Sequence, residues 1–290
     1  MNIRFILNPV SGKKPADVAA LKAQILAVFP GAQICLTQGP GHATTLAQEA
    51  AQNGVETVVA MGGDGTINET AKGLVDTQCT LGILPRGSGN GFARELGLMG
   101  PLPTALNKLK NASVRPCDAG FANGELFLNL AGVGIEAVIA WQFMEQAKTG
   151  SRGMWPYFKV AAQTLLSYRP QTLRITQENK TQTLAPLSLV FANGRQYGSH
   201  FIVAPHASLF DGQLDRVEIK DVCKLKLASV LPFFFWGKEP PLGTVQTVRT
   251  THALIEADGE ILYHIDGEPR KTQHRLEITV RPGALRLWVP

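Results

Sequence analysis

Val58-Val59-Ala60-Met61-Gly62-Gly63-Asp64-Gly65-Thr66-Ile67-Asn68-Glu69 is the stretch that decides the fold of this chain. A short continuous apolar run reads as a strand buried on both faces. Glycines and one aspartate follow at once, and a helix begins around Thr66 and runs to Leu74. Strand, glycine turn, helix is the building unit of a parallel sheet covered by helices.

Working outward, the unit repeats. Ile3, Phe5, Ile6 and Leu7 form a buried strand, broken by Asn8-Pro9-Val10-Ser11-Gly12. A helix opens near Pro15 and Asp17, with Val18, Leu21, Ile25 and Val28 at helical spacing. Ala32 to Leu36 is the next strand, and an Ala-rich helix from His42 to Gln52 stops at Gly54. Leu81 to Leu84 is a fourth strand, ended by Pro85; Gly87-Ser88-Gly89-Asn90-Gly91 then leads into a helix from Phe92 to Leu98.

In an open parallel sheet the loops after the strands share one edge, which is where ligands bind. Asn8 to Gly12, Gly62 to Thr66 and Gly87 to Asn90 therefore converge. Glycines let backbone N–H groups approach phosphate oxygens closely, and the following helix N-terminus adds a positive dipole. Neither GxxxxGK[ST] nor GxGxxG is present, since Asn90-Gly91 breaks the spacing after Gly89. Asp64 is out of place beside phosphates unless Mg²⁺ lies between them; its other reading is a cap for the helix near Thr66.

From about Asp118 the pattern changes. Leu126–Leu130, Thr172–Gln177, Thr183–Leu184, Leu187–Ala192, Phe201–Ala204, Leu214–Ile219, Ala253–Ala257, Ile261–Ile265, Arg275–Val280 and Ala284–Val289 read as strands. Asn179-Lys180 and Asp258-Gly259 read as hairpin turns between them. Helical stretches around Ile135–Tyr168 and Val222–Trp236 interrupt the series. The expectation is an α/β domain over residues 1–118 and a mainly antiparallel second domain over 119–290.

The 290 residues are 44% hydrophobic and 18% charged, which excludes a disordered chain. The net charge of +5 is spread evenly, ten basic against eight acidic residues up to Asp118 and eighteen against fifteen after it. No Lys/Arg run resembles a nucleic-acid arm, so no nucleic-acid partner is expected. Four scattered cysteines without a CxxC pair read as reduced thiols, and the six dispersed histidines suggest no metal site. The opening MNIRFILNP lacks a signal-peptide core, and the longest apolar stretch, Leu227–Trp236, is about half of what spans a bilayer. A cytoplasmic protein, at most peripheral to the membrane, is expected.

Gly62 to Glu69 resembles the GGDGTxNE signature of the diacylglycerol kinase catalytic-domain family, which includes sphingosine and ceramide kinases and soluble bacterial lipid kinases. Its GGDG core is similar in NAD kinases and 6-phosphofructokinases. Asn8 to Gly12 resembles the family's NPxSG, and Leu84 to Arg94 its LPxGTxNDFAR, with Ser88 for the usual Thr and Gly91 for the usual Asp. Asp211-Gly212-Gln213-Leu214-Asp215 and Asp266-Gly267-Glu268 match in order and place. The resemblance implies a nucleotide-binding, NAD kinase/phosphofructokinase-like α/β domain over residues 1–118 and a lipid-acceptor β-sandwich over 119–290, whose last strand is a candidate to return to the first domain. It implies that ATP is held by Asn8, Pro9, Val10, Ser11 and Gly12, by Gly62, Gly63, Asp64, Gly65, Thr66, Ile67, Asn68 and Glu69, and by Thr37, Ser88 and Asn90.

The resemblance also places the catalytic carboxylates in the Asp266-Gly267-Glu268 turn, with Mg²⁺ neutralising the triphosphate. Either acid can be the base: Glu268 is favoured, with Asp266 or Asp64 toward the metal. Without the family, Asp258-Gly259-Glu260 would be an equal candidate. A second, structural Mg²⁺ site is implied at Ser208, Asp211 and Gln213, against a plain surface turn. Lys13, Lys14 and Arg86 are candidates to offset ATP phosphates. For the lipid, Gly132 to Glu136 lines an acceptor pocket or is a mere strand-to-helix turn. Phe233, Phe234, Phe235 and Trp236 form either an interfacial wedge or the core face of a helix. The activity implied is transfer of the γ-phosphoryl group of ATP to a lipid alcohol, with transient membrane contact. The alternatives are an NAD kinase-like enzyme and an inactive nucleotide- or lipid-binding protein. Oligomeric state is not indicated.

Overall fold

The strand and turn pattern resolves, in a computed structural model, into fourteen strands and eight helices over residues 2–12, 16–87, 89–148, 154–197, 201–240 and 243–290. The chain divides into two compact units, residues 1–119 with 282–290, and residues 120–281.

In the first unit, β1 (Ile3–Leu7), α1 (Val18–Val28), β2 (Gln33–Leu36), α2 (His42–Gln52), β3 (Thr57–Gly62), α3 (Asp64–Leu74), β4 (Thr80–Pro85), α4 (Gly91–Glu95) and α5 (Leu102–Lys110) follow one another, and β5 (Ser113–Ala122) leads out. β3 is buried at every position, as its unbroken apolar run requires. It pairs in parallel with β1 from Ile3↔Thr57 to Leu7↔Met61, and with β4 from Thr57↔Thr80 to Gly62↔Pro85. The order β2-β1-β3-β4 reverses direction between β1 and β3. Helices leaving the two strands diverge there and open a crevice at the strand ends. Arg286 and Leu287 add a further parallel strand beside Thr80 and Leu81, with Trp288 buried and donating Nε1–H to the Ala112 carbonyl at 3.1 Å.

The second unit contains β6 (Glu125–Phe127), β7 (Leu130–Gly134), α6 (Ile135–Lys148), α7 (Met154–Ser167), β8 (Leu173–Gln177), β9 (Lys180–Leu184), β10 (Pro186–Ala192), β11 (Leu214–Lys220), α8 (Lys224–Trp236), β12 (Val245–Thr250) and β13 (His252–Ile265). The last strand, β14 (Glu268–Val289), continues into the first unit. The pairing is antiparallel in the order β12-β11-β10-β7-β13-β14, with β8 on β13 and β9 on β8. β13 serves two layers: Tyr263–Ile265 pair with β7, and Leu254–Glu256 pair with β8, with a register break between Glu256 and Glu260. Such a break lets one strand bend between sheets. Phe127, Phe191, Leu214, Ile255, Ile261, Leu276 and Ile278 fill the space so enclosed. On the other face of β10 and β11, Val190 and Val217 meet Leu227, Val230 and Phe234 of α8.

Three expectations are corrected here. Asp258-Gly259 is not a hairpin turn but part of β13; the turn is Asp266-Gly267, where both φ angles are positive, 48° and 87°. Neither Asp258 nor Gly259 has a positive φ, and the primed turns of two-residue hairpins need at least one. Phe201–Ala204 is not a strand: only Ile202 makes a bridge, to Gln196. Arg275–Val280 and Ala284–Val289 are one strand, and β5 and β12 were not anticipated.

Candidate functional site

Two groups of polar residues are candidates for the chemistry, one in each unit. In the first, the loops after β1, β3 and β4 meet at one edge. Asn8 N–H donates to the Met61 carbonyl at 2.9 Å, and its side-chain Nδ2 donates to Thr66 Oγ1 at 3.0 Å, across the switch point. Its Oδ1 accepts from Val10 N–H at 3.1 Å, and its carbonyl accepts from Ser11 Oγ at 3.0 Å, so Asn8 folds Pro9 to Gly12 over the strand end. Thr37 lies beside β1, its N–H donating to the Leu7 carbonyl at 2.9 Å.

The glycines are required by close approach. A Cβ on Gly62 would stand 2.5 Å from Thr66 Oγ1; one on Gly87 would stand 2.7 Å from Gly63 Cα and 2.8 Å from Asn90 Oδ1. The backbone is thereby left bare at the strand ends, as close approach by an anion requires. Asn90, in the left-handed region at φ 52°, closes the loop with two bonds to Gly87, accepting at 2.8 Å and donating at 2.7 Å. Arg94 Nε–H supports it through the Gly89 carbonyl at 3.0 Å. Ser88, Lys13 and Lys14 lie outside the described residues.

Asp64 is not the N-cap of its own helix. Gly63 holds that position of α3, and the Asp64 carboxylate faces the backbone N–H groups of Asn90, Phe92 and Gly91 at the start of α4, with its own N–H a lesser partner. Burial raises its pKa, and those N–H groups pull it back. Its Oδ1 is buried with no hydrogen-bond partner, as is Nη1 of Arg86. Buried polar atoms of this kind need a partner, so both are groups to which a ligand or ion would bond. Ile67 is core, Gly65 and Asn68 lie within α3, and Glu69 turns away: its Oε1 and Oε2 accept from Gly41 and Ala43 N–H at 2.9 and 3.3 Å. Glu69 thus holds the N-terminus of α2.

In the second unit, Asp266 and Glu268 play unlike parts. The Asp266 carboxylate accepts three backbone N–H bonds, from Leu128 at 2.9 Å, Asn129 at 2.9 Å and Leu130 at 3.0 Å. Asp266 N–H returns a bond to the Leu130 carbonyl at 2.8 Å. The side chain of Glu268 is 62% exposed, with Oε2 3.2 Å from Arg270 Nη2. Arg270 is fixed by a bidentate pair with Glu125, 2.9 and 2.8 Å, which raises its pKa and keeps it charged. Arg270 was not anticipated; its place two residues after Glu268 on one strand, hence on the same face, was the available signal.

Below the turn lies a buried polar group. His264 Nδ1 accepts from Gly267 N–H at 3.4 Å, and Nε2 lies 3.0 Å from Tyr197 Oη. Burial lowers the His264 pKa to about 4. Glu136, which accepts from Ser188 Oγ at 2.9 Å, is pushed up to about 8, chiefly by burial. Gly132 is bare between them; a Cβ would stand 2.6 Å from His264 Nε2 and 2.8 Å from Glu136 Oε1.

Ser208, Asp211 and Gln213 share one loop. Ser208 Oγ accepts from Phe210 N–H and Asp211 Oδ1 from Gln213 N–H, both at 3.2 Å. Among the described residues, no three His, Cys, Asp or Glu side chains are grouped to hold a metal, and no helix is long and apolar enough to cross a membrane.

A parallel α/β unit with glycine loops at its switch point, and an antiparallel sandwich whose hairpin presents a carboxylate, define a two-domain kinase with an alcohol acceptor. The chain belongs to the family of YegS-like lipid kinases: residues 130–289 match the YegS C-terminal NAD kinase beta sandwich-like domain, and residues 2–122 match the diacylglycerol kinase catalytic domain. It is 31% identical over 258 residues to "Probable lipid kinase YegS-like" of Pseudomonas aeruginosa (strain UCBPP-PA14), covering 88% of this chain and 83% of the relative. It is 29% identical over 272 residues to "Diacylglycerol kinase" of Bacillus subtilis (strain 168), covering 91% and 89%. A solved diacylglycerol kinase from Bacillus anthracis str. Sterne has the same fold, with a TM-score of 0.76 at 23% identity, over 100% of this chain and 97% of that one.

Proposed function

We propose that this enzyme transfers the γ-phosphoryl group of ATP to the hydroxyl of a membrane lipid, diacylglycerol or a related long-chain alcohol, with Mg²⁺. Residues 1–118 serve the nucleotide and 119–290 the acceptor. The observation that carries this reading is the unequal state of the two hairpin carboxylates. Asp266 is occupied by three N–H donors, whereas Glu268 stands in solvent, held by one charged hydrogen bond from Arg270. Glu268 is therefore assigned as the base that accepts the hydroxyl proton, and Asp266 as the residue that shapes the turn presenting it.

The first unit fits a triphosphate. Glycine backbone at Gly62, Gly63 and Gly87, the Arg86 guanidinium and the start of α3 offer N–H donors and positive potential. Asn8 and Thr66 hold the loops around it, Thr37 and Asn90 complete the edge, and Ser88 is kept as a nucleotide residue on the family resemblance alone. Glu69 acts one step back, through α2. Asp64 fits Mg²⁺, because its buried Oδ1 has no partner and Mg²⁺ in kinases takes one or two carboxylates with phosphates and waters. When bound, the ion neutralises charge on the transferring phosphoryl group. Ser208, Asp211 and Gln213 remain the proposed second ion site, supported by their shared loop.

The test is phosphorylation with radiolabelled ATP of diacylglycerol, sphingoid bases and other lipid alcohols in mixed micelles, with NAD as a soluble control. Labelled lipid that vanishes in Glu268→Gln and Asp64→Asn is expected. Labelled NAD without lipid product would replace this reading with a soluble acceptor, and unchanged turnover in both variants would refute the residue roles.

A further inference from the structure

Helix α8 is apolar on both sides. Leu227, Val230 and Phe234 are buried against β10 and β11, yet Leu231, Phe235 and Trp236 on the other side are 40%, 55% and 66% exposed. From Leu227 to Trp236 the sequence has no charged residue, where a surface helix ordinarily carries a polar face. The reading of Phe233 to Trp236 thus divides: Phe234 is core, and Phe235 and Trp236 are not.

The exposed aromatics are braced. Phe235 sits edge-on to Phe201 with ring centroids 5.3 Å apart, and Trp236 sits against Phe233 at 5.7 Å. The helix stops at Gly237, in the left-handed region at φ 62°. Lys238 N–H donates to the Phe233 carbonyl at 3.0 Å, and Ile202 N–H to the Phe234 carbonyl at 2.9 Å. Exposed Lys226 and Lys238 flank the patch. From Lys220 to Glu239 four lysines stand against Asp221 and Glu239, and Glu239 lies 3.7 Å from His206.

We propose that the C-terminal end of α8 inserts into the headgroup boundary of an anionic bilayer, with Phe235 and Trp236 as the wedge and the lysines meeting lipid phosphates. The inference rests on the reading that the acceptor is a membrane lipid. Tryptophan and phenylalanine on a short apolar face beside lysine are the chemistry of that boundary. A second copy of the chain fits less well: the three side chains expose roughly 300 Å², while a stable protein interface takes about 800 Å² from each partner.

The experiment is co-sedimentation with phosphatidylcholine vesicles containing or lacking phosphatidylglycerol, for the native chain, Phe235→Ser, Trp236→Ser and the double variant. Each single change is expected to lower partition about tenfold and the pair about a hundredfold, with greater loss of binding in salt for the anionic vesicles. Trp236→Phe keeps the apolar volume and serves as the fluorescence reference: quenching by brominated lipid that is present in the native chain and absent from this variant locates Trp236 in the bilayer. Equal partition of native and double variant, or no quenching of Trp236, overturns the proposal. So does a native dimer that the serine variants dissolve. Vesicle binding that depends on α8, in a chain that phosphorylates no lipid dispersed in micelles, would uphold this inference and reject the kinase reading.

Discussion

Glu268 and Asp266 are two residues apart and chemically alike, yet the fold gives them different surroundings. Three N–H groups converge on Asp266, so Asp266→Asn must turn an amide N–H₂ or a weaker acceptor toward those donors. A loss of about 2–4 kcal/mol in denaturant unfolding is expected, with activity falling as the turn loosens. Glu268→Gln removes an exposed carboxylate, so the thermal midpoint should hardly move, while kcat drops by at least about a hundredfold. A Glu268→Gln enzyme with native turnover would return the base to Asp266. Gly87→Ala tests the loops in the same way: its Cβ would overlap Gly63 Cα, so nucleotide affinity should fall and unfolding should come about 1–3 kcal/mol earlier.

At the scale of elements, the edge of the first unit is a set of mutual supports rather than a row of independent contacts. α3 starts beside β4's loop through Asp64, and its Glu69 carries the start of α2, behind the turn that follows Thr37. Removing the carboxylate, Glu69→Ala, leaves the Gly41 and Ala43 N–H groups without acceptors and takes charge from a helix N-terminus. It should cost about 1–2 kcal/mol, read most directly as faster amide exchange at Gly41 and Ala43. Full protection in that variant would show that α2 does not depend on it. In the second unit the corresponding support is the Glu125–Arg270–Glu268 chain, which aligns the proposed base, Glu268, along one face of β14.

For the molecule as a whole, the buried carboxyl of Glu136 makes stability depend on pH. Its pKa rises from 4.5 to about 8 on folding, so its contribution is complete below pH 4.5, weakens as the unfolded chain ionises, and is lost once pH passes about 8. By pH 7 the loss is about 3 kcal/mol. Glu136→Gln should therefore be more stable than the native chain at pH 8 and about equal at pH 4, in unfolding followed across that range; a parallel pH dependence in both would show that Glu136 is not the source. Much of the whole was legible in the sequence: apolar runs ended by glycine turns gave the parallel strands, because burial and tight turns are local demands on residue type. By residue type alone, without the family resemblance, Asp258-Gly259 and Asp266-Gly267 are indistinguishable, since both are turn dipeptides and only pairing with β7 and β14 decides which one turns. By itself the sequence determined the order of strands and helices and the glycine edge, through side-chain size and polarity along the chain. The tertiary structure alone decided that Asp64 faces α4, that Asp266 is occupied while Glu268 stands largely in solvent beside Arg270, and that Phe235 and Trp236 stay in solvent, because each depends on which distant backbone groups and faces are brought alongside.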